Sequence, residues 1–237
     1  MLKALIFDVD GTLADTEHAH MDAFNQAFAA EGLDWHWDEP LYTRLLEVSG
    51  GKERMLAYWR EVNPQVQDIT GHGLAATIDR LHGLKTAAYE EAVRQGRVQL
   101  RPGVLSLFEA ARQAGLQLAI ATTTSPVNIA ALLRSAIGSD WRSHFSVVED
   151  ASTAPQKKPH PQVYLQTLQG LGLPAQQCLA FEDSANGLQA ARAAGLATII
   201  TPNVFTAHHD FSGALRVRPD LAGLGLAQLQ AWHAEAA

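Results

Sequence analysis

Short apolar runs that stop abruptly at polar residues punctuate this chain. Leu2–Phe7 ends at Asp8, Leu116–Ala121 at Thr122, Cys178–Phe181 at Glu182-Asp183, and Ala197–Ile200 at Thr201-Pro202. Near-continuous hydrophobicity over so few residues marks strands buried on both faces of a parallel sheet. Elsewhere the apolar period becomes that of a helix. Gly103–Gly115 carries Val104, Leu107, Phe108 and Ala111 at helical spacing and closes on Gly115; Pro161–Leu171 and Ala185–Ala194 follow suit, the latter closing on Gly195. From Arg101 onward the order helix, strand, helix, strand implies right-handed βαβ units in one sheet. Sites in such sheets lie beyond the carboxyl ends of the strands, where the four runs leave their polar residues.

Residues from about 16 to 98 break the alternation. Their periodicity is helical only, over Ala19–Glu31, Glu39–Val48, Lys52–Glu61 and Gly73–Gln95, with loops around Asn63-Pro64 and Gly71. The expected fold class is therefore α/β. A Rossmann-like core, a parallel sheet flanked by helices, is built from residues 1–16 and 98–237, and an all-helical unit, 17–97, is inserted after the first strand. The alanine-rich segment Leu224–Ala236 reads as a further helix.

Composition narrows the function. With 237 residues, 47% hydrophobic and 18% charged, the chain can bury a sizeable core as an ordinary globular protein. A net charge of −7 argues against a broad nucleic-acid or membrane-surface footprint, so an anionic substrate needs a local cluster of cations. Cys178 is the single cysteine, which excludes an intrachain disulfide and a thiolate-rich metal site. It lies in an apolar run and reads as an inert buried thiol. No basic leader precedes the first strand, and no window approaches the roughly 20 apolar residues that span a bilayer. A cytoplasmic enzyme is expected.

Candidate chemistry begins in "FDVDGTLADT". Strand residues two apart share a face, so Asp8 and Asp10 can converge if the strand geometry persists into the turn. Carboxylates that close repel, and one would be driven to its protonated form unless a cation sat between them. Asp183, with Glu182 beside it, supplies a further carboxylate from another strand end. Such oxygen-rich surroundings suit Mg2+, which prefers carboxylates, water and substrate phosphate. Lys157 and Lys158, in "APQKKPHP", offer positive charge between the second and third of these strands.

Four segments in order, "DVDGT", Thr122, Lys158-Pro159 and "FEDSANG", each tied to a strand end, resemble the motifs of the haloacid dehalogenase (HAD) superfamily. The core resemblance spans roughly 1–16 and 100–205, and the helical insert is similar to that superfamily's first-position cap. The resemblance implies that Asp8 attacks phosphorus to form an aspartyl-phosphate, and that Asp10 is general acid and then general base. It implies that Thr122, with Thr123 beside it, meets a phosphoryl oxygen, and that Lys158 holds nucleophile and phosphate. Mg2+ would be bound by Asp8, the backbone carbonyl of Asp10, Asp183 and Glu182. An acid at position 10 favours phosphoryl transfer, since halide displacement does not require one. Any of the hydroxyls in "TTTS" could instead cap the following helix, and Glu182 could instead be an ion-pair partner.

Specificity belongs to the cap and its linkers. In "SGGKERM" two glycines, Gly51 among them, precede Lys52 and Arg54 at a helix start, which suits a second phosphate; a solvated helix start with a Glu–Arg pair is the alternative. Glu17 and His20, in the linker after the first motif, are candidate substrate contacts. His20 matches a substrate-contacting histidine of β-phosphoglucomutases, whereas His18 reads as surface. Trp35, Trp37, Trp59 and Tyr89 read as packing, and His208-His209 as loop. Within the superfamily "DVDGTLADTE", "WDEPLYTRLL" followed by "GGKER", and "LAIATTTSPVN" are similar to the CbbY group. That likeness implies a phosphatase of xylulose-1,5-bisphosphate, an inhibitor of the Calvin-cycle enzyme Rubisco. It weakens over Ala151–Gln156, and Ser49 stands where the group has threonine. A β-phosphoglucomutase-like mutase and a broad sugar-phosphate or phosphoglycolate phosphatase are the alternatives, with a non-catalytic phosphosugar sensor behind them. A monomer acting on a small phosphorylated sugar is expected, with no nucleic-acid or membrane partner.

Overall fold

The structure is a computed structural model and describes residues 1–64 and 72–235, so Gly71 and Ala236 lie outside the described residues. After β1 (Ala4–Phe7) the chain leaves the sheet for α1 (Glu17–Ala30), α2 (Glu39–Leu45), α3 (Gly51–Val62) and α4 (His72–Arg94). It returns through α5 (Val104–Gln113) and β2 (Gln117–Ala121), and continues with α6 (Pro126–Ile137), β3 (Val147–Glu149), α7 (Gln162–Leu171) and β4 (Cys178–Glu182). The remainder is α8 (Ala185–Ala193), β5 (Ala197–Ile200), β6 (Arg216–Val217) and α9 (Leu226–Glu235). The expected strands and helices are all present with small shifts of boundary. β3 and β6 were not expected, because pieces of three and two residues show no readable period.

The strands form one six-stranded sheet, order β3-β2-β1-β4-β5-β6, and every pair is parallel. Alternation along the strands divides the core between two faces. Leu5 and Phe7 join Leu118, Ile120, Leu179 and Phe181 on the side covered by α5, α6 and α9. Ala4 and Ile6 join Ala119, Ala121, Cys178 and Ala180 under α7 and α8. A third apolar cluster lies within the inserted helices, where Phe24, Phe28, Trp37, Tyr42 and Met55 are all but fully buried. The insert is also rooted on the sheet, because Ala23 of α1 and Tyr89 and Val93 of α4 belong to the first face's core. Among the described residues no helix is long and apolar enough to cross a membrane.

The chain passes between sheet and insert along two adjacent paths. Ala14 on the outgoing path bridges Leu100 on the return path, and Arg101 N–H donates to the Leu13 carbonyl at 2.8 Å. Gly103 follows, where an added Cβ would lie 2.1 Å from the Leu221 backbone. Only glycine fits that approach.

Candidate active site

The sheet register assembles the site. Phe7 is level with Ile120 of β2 and Phe181 of β4, so Asp8 emerges beside Ala121-Thr122 on one side and Glu182-Asp183 on the other. The strand order reverses between β1 and β4, the place where such sheets open a crevice for ligands. Gly11 makes the turn after Asp10 with φ +76°, and a Cβ there would sit 2.3 Å from Asp183 Oδ2. The turn thus needs glycine for both its conformation and its closeness to Asp183.

Of the two candidate lysines, Lys158 enters the centre. Its ammonium, 5% exposed, donates to Asp8 Oδ1 and Glu182 Oε1 at 2.6 Å each, and to the Ala121 carbonyl at 2.9 Å. Lys157 borders the cleft mouth and reaches only the Ala151 carbonyl, at 3.4 Å. Glu182 also accepts from the Tyr164 hydroxyl on Oε1 and from the Asp183 N–H on Oε2. Its carboxylate occupies the space a side chain at position 187 would fill, 1.9 Å from that Cβ position, which accounts for Gly187 in "FEDSANG". Asp183 is held at Oδ2 by Asn203 Nδ2, 2.8 Å away.

Asp8, Glu182 and Asp183 bring carboxylate oxygens within 4.8 Å of one another, all buried. Among the described residues, Lys158 is the one basic side chain bonded to this group. Burial, and then the Glu182 and Asp10 charges, push the Asp8 carboxyl up to about 7 against the opposing pull of Lys158. Burial and the Asp8 and Glu182 charges push Asp183 well above the usual carboxylate range. Against its burial, the Asp8 and Glu182 carboxylates hold Lys158 above the ordinary lysine range, so it stays cationic. Crowded, hard oxygen donors with surplus negative charge suit a divalent cation.

Asp10 has different partners. His20 Nε2 lies 3.0 Å from Asp10 Oδ1, and Lys85 Nζ lies 2.8 Å from His20 Nδ1. Burial alone would raise the Asp10 carboxyl, but electrostatic attraction and a hydrogen bond from His20, with the Lys85 ammonium behind it, hold it below the usual range. Burial and the Lys85 charge pull the His20 ring toward neutrality. Lys85, lowered to about 8 by its own burial, is still mostly an ammonium at pH 7. It therefore donates to Nδ1, which leaves Nε2–H to donate to Asp10. Tyr89 stacks on His20 at 4.1 Å between ring centres and fixes the imidazole plane. Lys85 was missed from sequence, though it replaces an apolar residue in the buried stripe Ile78, Leu81, Lys85, Tyr89 of α4.

The hydroxyl run resolves by geometry. Ser125 caps α6 by accepting from Asn128 N–H at 3.3 Å, which leaves Thr122 and Thr123 on the cleft wall. The insert supplies the opposite wall. Arg54 is buried, uses three donors on the Leu45 and Val48 carbonyls and the Tyr42 hydroxyl, and packs over the Tyr42 ring. A guanidinium carries five donors, so two remain for the cleft. Lys52 also borders the cleft, but its ammonium pairs with Asp79 at 2.6 Å on the surface. Gly51 lies against His82, and Glu17 accepts from the Tyr42 hydroxyl at 2.9 Å. His18 pairs with Glu39 on the exterior. Trp37 and Tyr89 are core residues, and His209 accepts the Ala185 N–H in its loop, with no metal-ligand arrangement about it among the described residues. Burial holds the Cys178 thiol up at about 11, which makes it inert.

One cleft of about 430 Å³ joins the Asp8–Asp10–Lys158 centre to Arg54 and Lys52 of the insert, with His20 and Lys85 also on its lining. The chain is similar to known proteins over nearly its whole length. A family model described as haloacid dehalogenase-like hydrolase matches residues 2–195. The chain is 53% identical to the plasmid-encoded CbbY protein of Cupriavidus necator, with 98% of this chain and 97% of that protein covered. Two crystal structures of CbbY from Rhodobacter sphaeroides superpose with TM-scores of 0.88. One, in complex with phosphate, is 41% identical and covers 97% of this chain and 100% of that one. The other, a mutant in complex with xylulose-(1,5)bisphosphate, is 42% identical and covers 97% and 99%.

Proposed function

The chain belongs to the haloacid dehalogenase-like hydrolases, and within them to the CbbY group, and from that premise we propose that it is a phosphatase of a sugar bisphosphate, xylulose-1,5-bisphosphate. The observation that carries this reading is the shared cleft, with a carboxylate–lysine centre in the sheet unit and Arg54 and Lys52 on the wall that the insert supplies. A monophosphate leaves the second cationic end without a partner; a bisphosphate fills both.

Asp8 has Oδ1 tied to Lys158 and offers Oδ2 to phosphorus. Attack forms the Asp8–phosphorus bond and breaks phosphorus–sugar oxygen, while Asp10 gives that oxygen its proton. Asp10 then takes a proton from water, whose oxygen displaces Asp8 and releases inorganic phosphate. His20 and Lys85 hold Asp10 ionised for this second step. For the first, the Nε2 proton of His20 passes to Asp10 as a proton of the Lys85 ammonium passes to His20 Nδ1, which leaves His20 and Lys85 both neutral. Thr122 and Lys158 receive the phosphoryl oxygens. Mg2+ fits the oxygen donors of Asp8, Asp183 and the Asp10 backbone carbonyl, with Glu182 alongside, and when bound would offset the charge of the carboxylates and the phosphoryl group. Residues 17–97 act as a cap whose closure excludes water and brings Arg54, with Lys52 at the rim, onto the second phosphate. Glu17, His20, Gly51 and Thr123 line the same space and would meet the sugar.

Phosphorus NMR of the bisphosphate incubated with protein and MgCl2 tests the reading. Inorganic phosphate and a monophosphate are expected in equal amounts. An isomerised sugar phosphate without free phosphate would make the protein a mutase instead, and no turnover with tight binding would make it a sensor.

A further inference from the structure

Arg101 touches neither end of the cleft, yet it is 8% exposed and more fully engaged than the other basic side chains described. Nη1 donates to the Gly11 carbonyl and to the Thr201 carbonyl at 2.6 Å, with the Thr201 hydroxyl at 3.3 Å. Nη2 donates to the Pro202 and Pro219 carbonyls at 2.9 and 2.8 Å, and Nε lies 3.4 Å from Asp15. These acceptors belong to separate segments: the turn after Asp10, the exit from β5, and the loop after β6. The residue stands on the return path from the inserted helices, beside the Ala14–Leu100 bridge.

Two of the three segments that Arg101 ties together bear on the centre. Gly11 follows Asp10 directly and packs against Asp183. Beyond Pro202 comes Asn203, whose Oδ1 accepts the Phe205 N–H at 2.9 Å. That bond fixes the amide so that Nδ2 must face Asp183 Oδ2. One guanidinium thus sets the spacing between the turn that carries Asp8 and Asp10 and the loop that orients Asp183. A planar fork can hold several convergent carbonyls; an ammonium of similar length cannot hold them all.

We infer that Arg101 is a positioning residue for phosphoryl transfer, clamping the Asp8–Asp10 turn to the Asn203 loop so that Asp8, Asp10 and Asp183 keep their mutual geometry. It acts through Gly11 and Asn203 and contacts no substrate. The inference rests on the phosphatase reading, and its test has one readout that does not.

Arg101→Gln and Arg101→Lys are compared with the parent protein at a temperature where all three are folded by circular dichroism. Displacement of reacting groups by about 1 Å costs on the order of 10²-fold, so kcat should fall at least about tenfold in Arg101→Gln and less in Arg101→Lys, with KM within about threefold. Without substrate, the MgCl2 concentration at the midpoint of the Mg2+-induced rise in melting temperature should increase several-fold, because Asp183 is no longer held in register. A lower melting temperature with kcat per folded molecule within twofold of the parent, and an unmoved Mg2+ midpoint, would make Arg101 a stability residue only and overturn the inference. If Arg101→Gln does not fold, Arg101→Lys decides on the same criteria. If the parent releases no phosphate, the phosphatase reading fails by itself and the Mg2+ midpoint decides on Arg101.

Discussion

Asp8 and Asp10 stand two residues apart and face opposite demands, and their partners separate them. Asp8 is buried among carboxylates and answered by Lys158, while Asp10 is answered by His20 and Lys85. On the proposed mechanism Asp8→Asn removes the attacking oxygen and should lower kcat by at least about 10³-fold with the fold intact; rapid-quench detection of the phosphoenzyme should find none. Lys85 gives a prediction on stability. Its folded pKa, about 8, lies below the ordinary lysine value, so between pH 8 and 10.5 the unfolded chain binds more protons. Unfolding free energy must then rise with pH in that window. Urea melts of the parent and Lys85→Met should show the parent gaining up to about 3 kcal/mol on the variant between pH 8 and 10.5, most of it absent at pH 7. A constant difference across the window would contradict the buried ammonium. Sequence pattern made Asp8, Asp10 and Asp183 visible as carboxylates just beyond strand ends, whereas Lys158 was told from Lys157 only by the Lys-Pro pair of the family resemblance. Lys85, Asn203 and Arg101 were not visible, because a helix stripe and two loops do not announce which long-range partners they meet.

At the scale of elements, the four longer strands were legible from their apolar runs, and so were the helices of the insert from their period. β3 and β6 were not, since their pairing is decided by neighbours rather than by their own few residues. Two helix glycines separate these influences. Gly187 opens α8 against the Glu182 carboxylate, whereas Gly83 lies inside α4 with open space where a Cβ would be. Gly187→Ala should overpack a buried site, costing about 1–3 kcal/mol by thermal melt and lowering kcat as Glu182 loses Lys158. Gly83→Ala should stabilise by about 0.5–1 kcal/mol and leave kcat unchanged. Equal effects from the two would mean that helix propensity, not the fit around Glu182, governs position 187.

Across the whole molecule, the insert meets the sheet unit at few polar points among the described residues, and one lies at the rim of the cleft. Asn186, at the start of α8, donates to the Glu47 carbonyl at 3.0 Å and lies 3.4 Å from Ser49 Oγ. These partners sit between α2 and α3, just before Gly51 and Arg54. Loss of one such bond is worth about 1 kcal/mol, so Asn186→Ala should raise KM about fivefold with little change in kcat, as a closed form becomes less populated. A fall in kcat at constant KM would place Asn186 in the chemistry rather than in closure. On the proposed function, both walls of one cleft read one substrate, a phosphate at each. That claim is tested most directly by kcat/KM for phosphate release, with MgCl2, from xylulose-1,5-bisphosphate beside phosphoglycolate and a sugar monophosphate. The bisphosphate should exceed both by at least about 10²-fold, the worth of a buried charged contact in a closed cleft; comparable values across the three would contradict the claim.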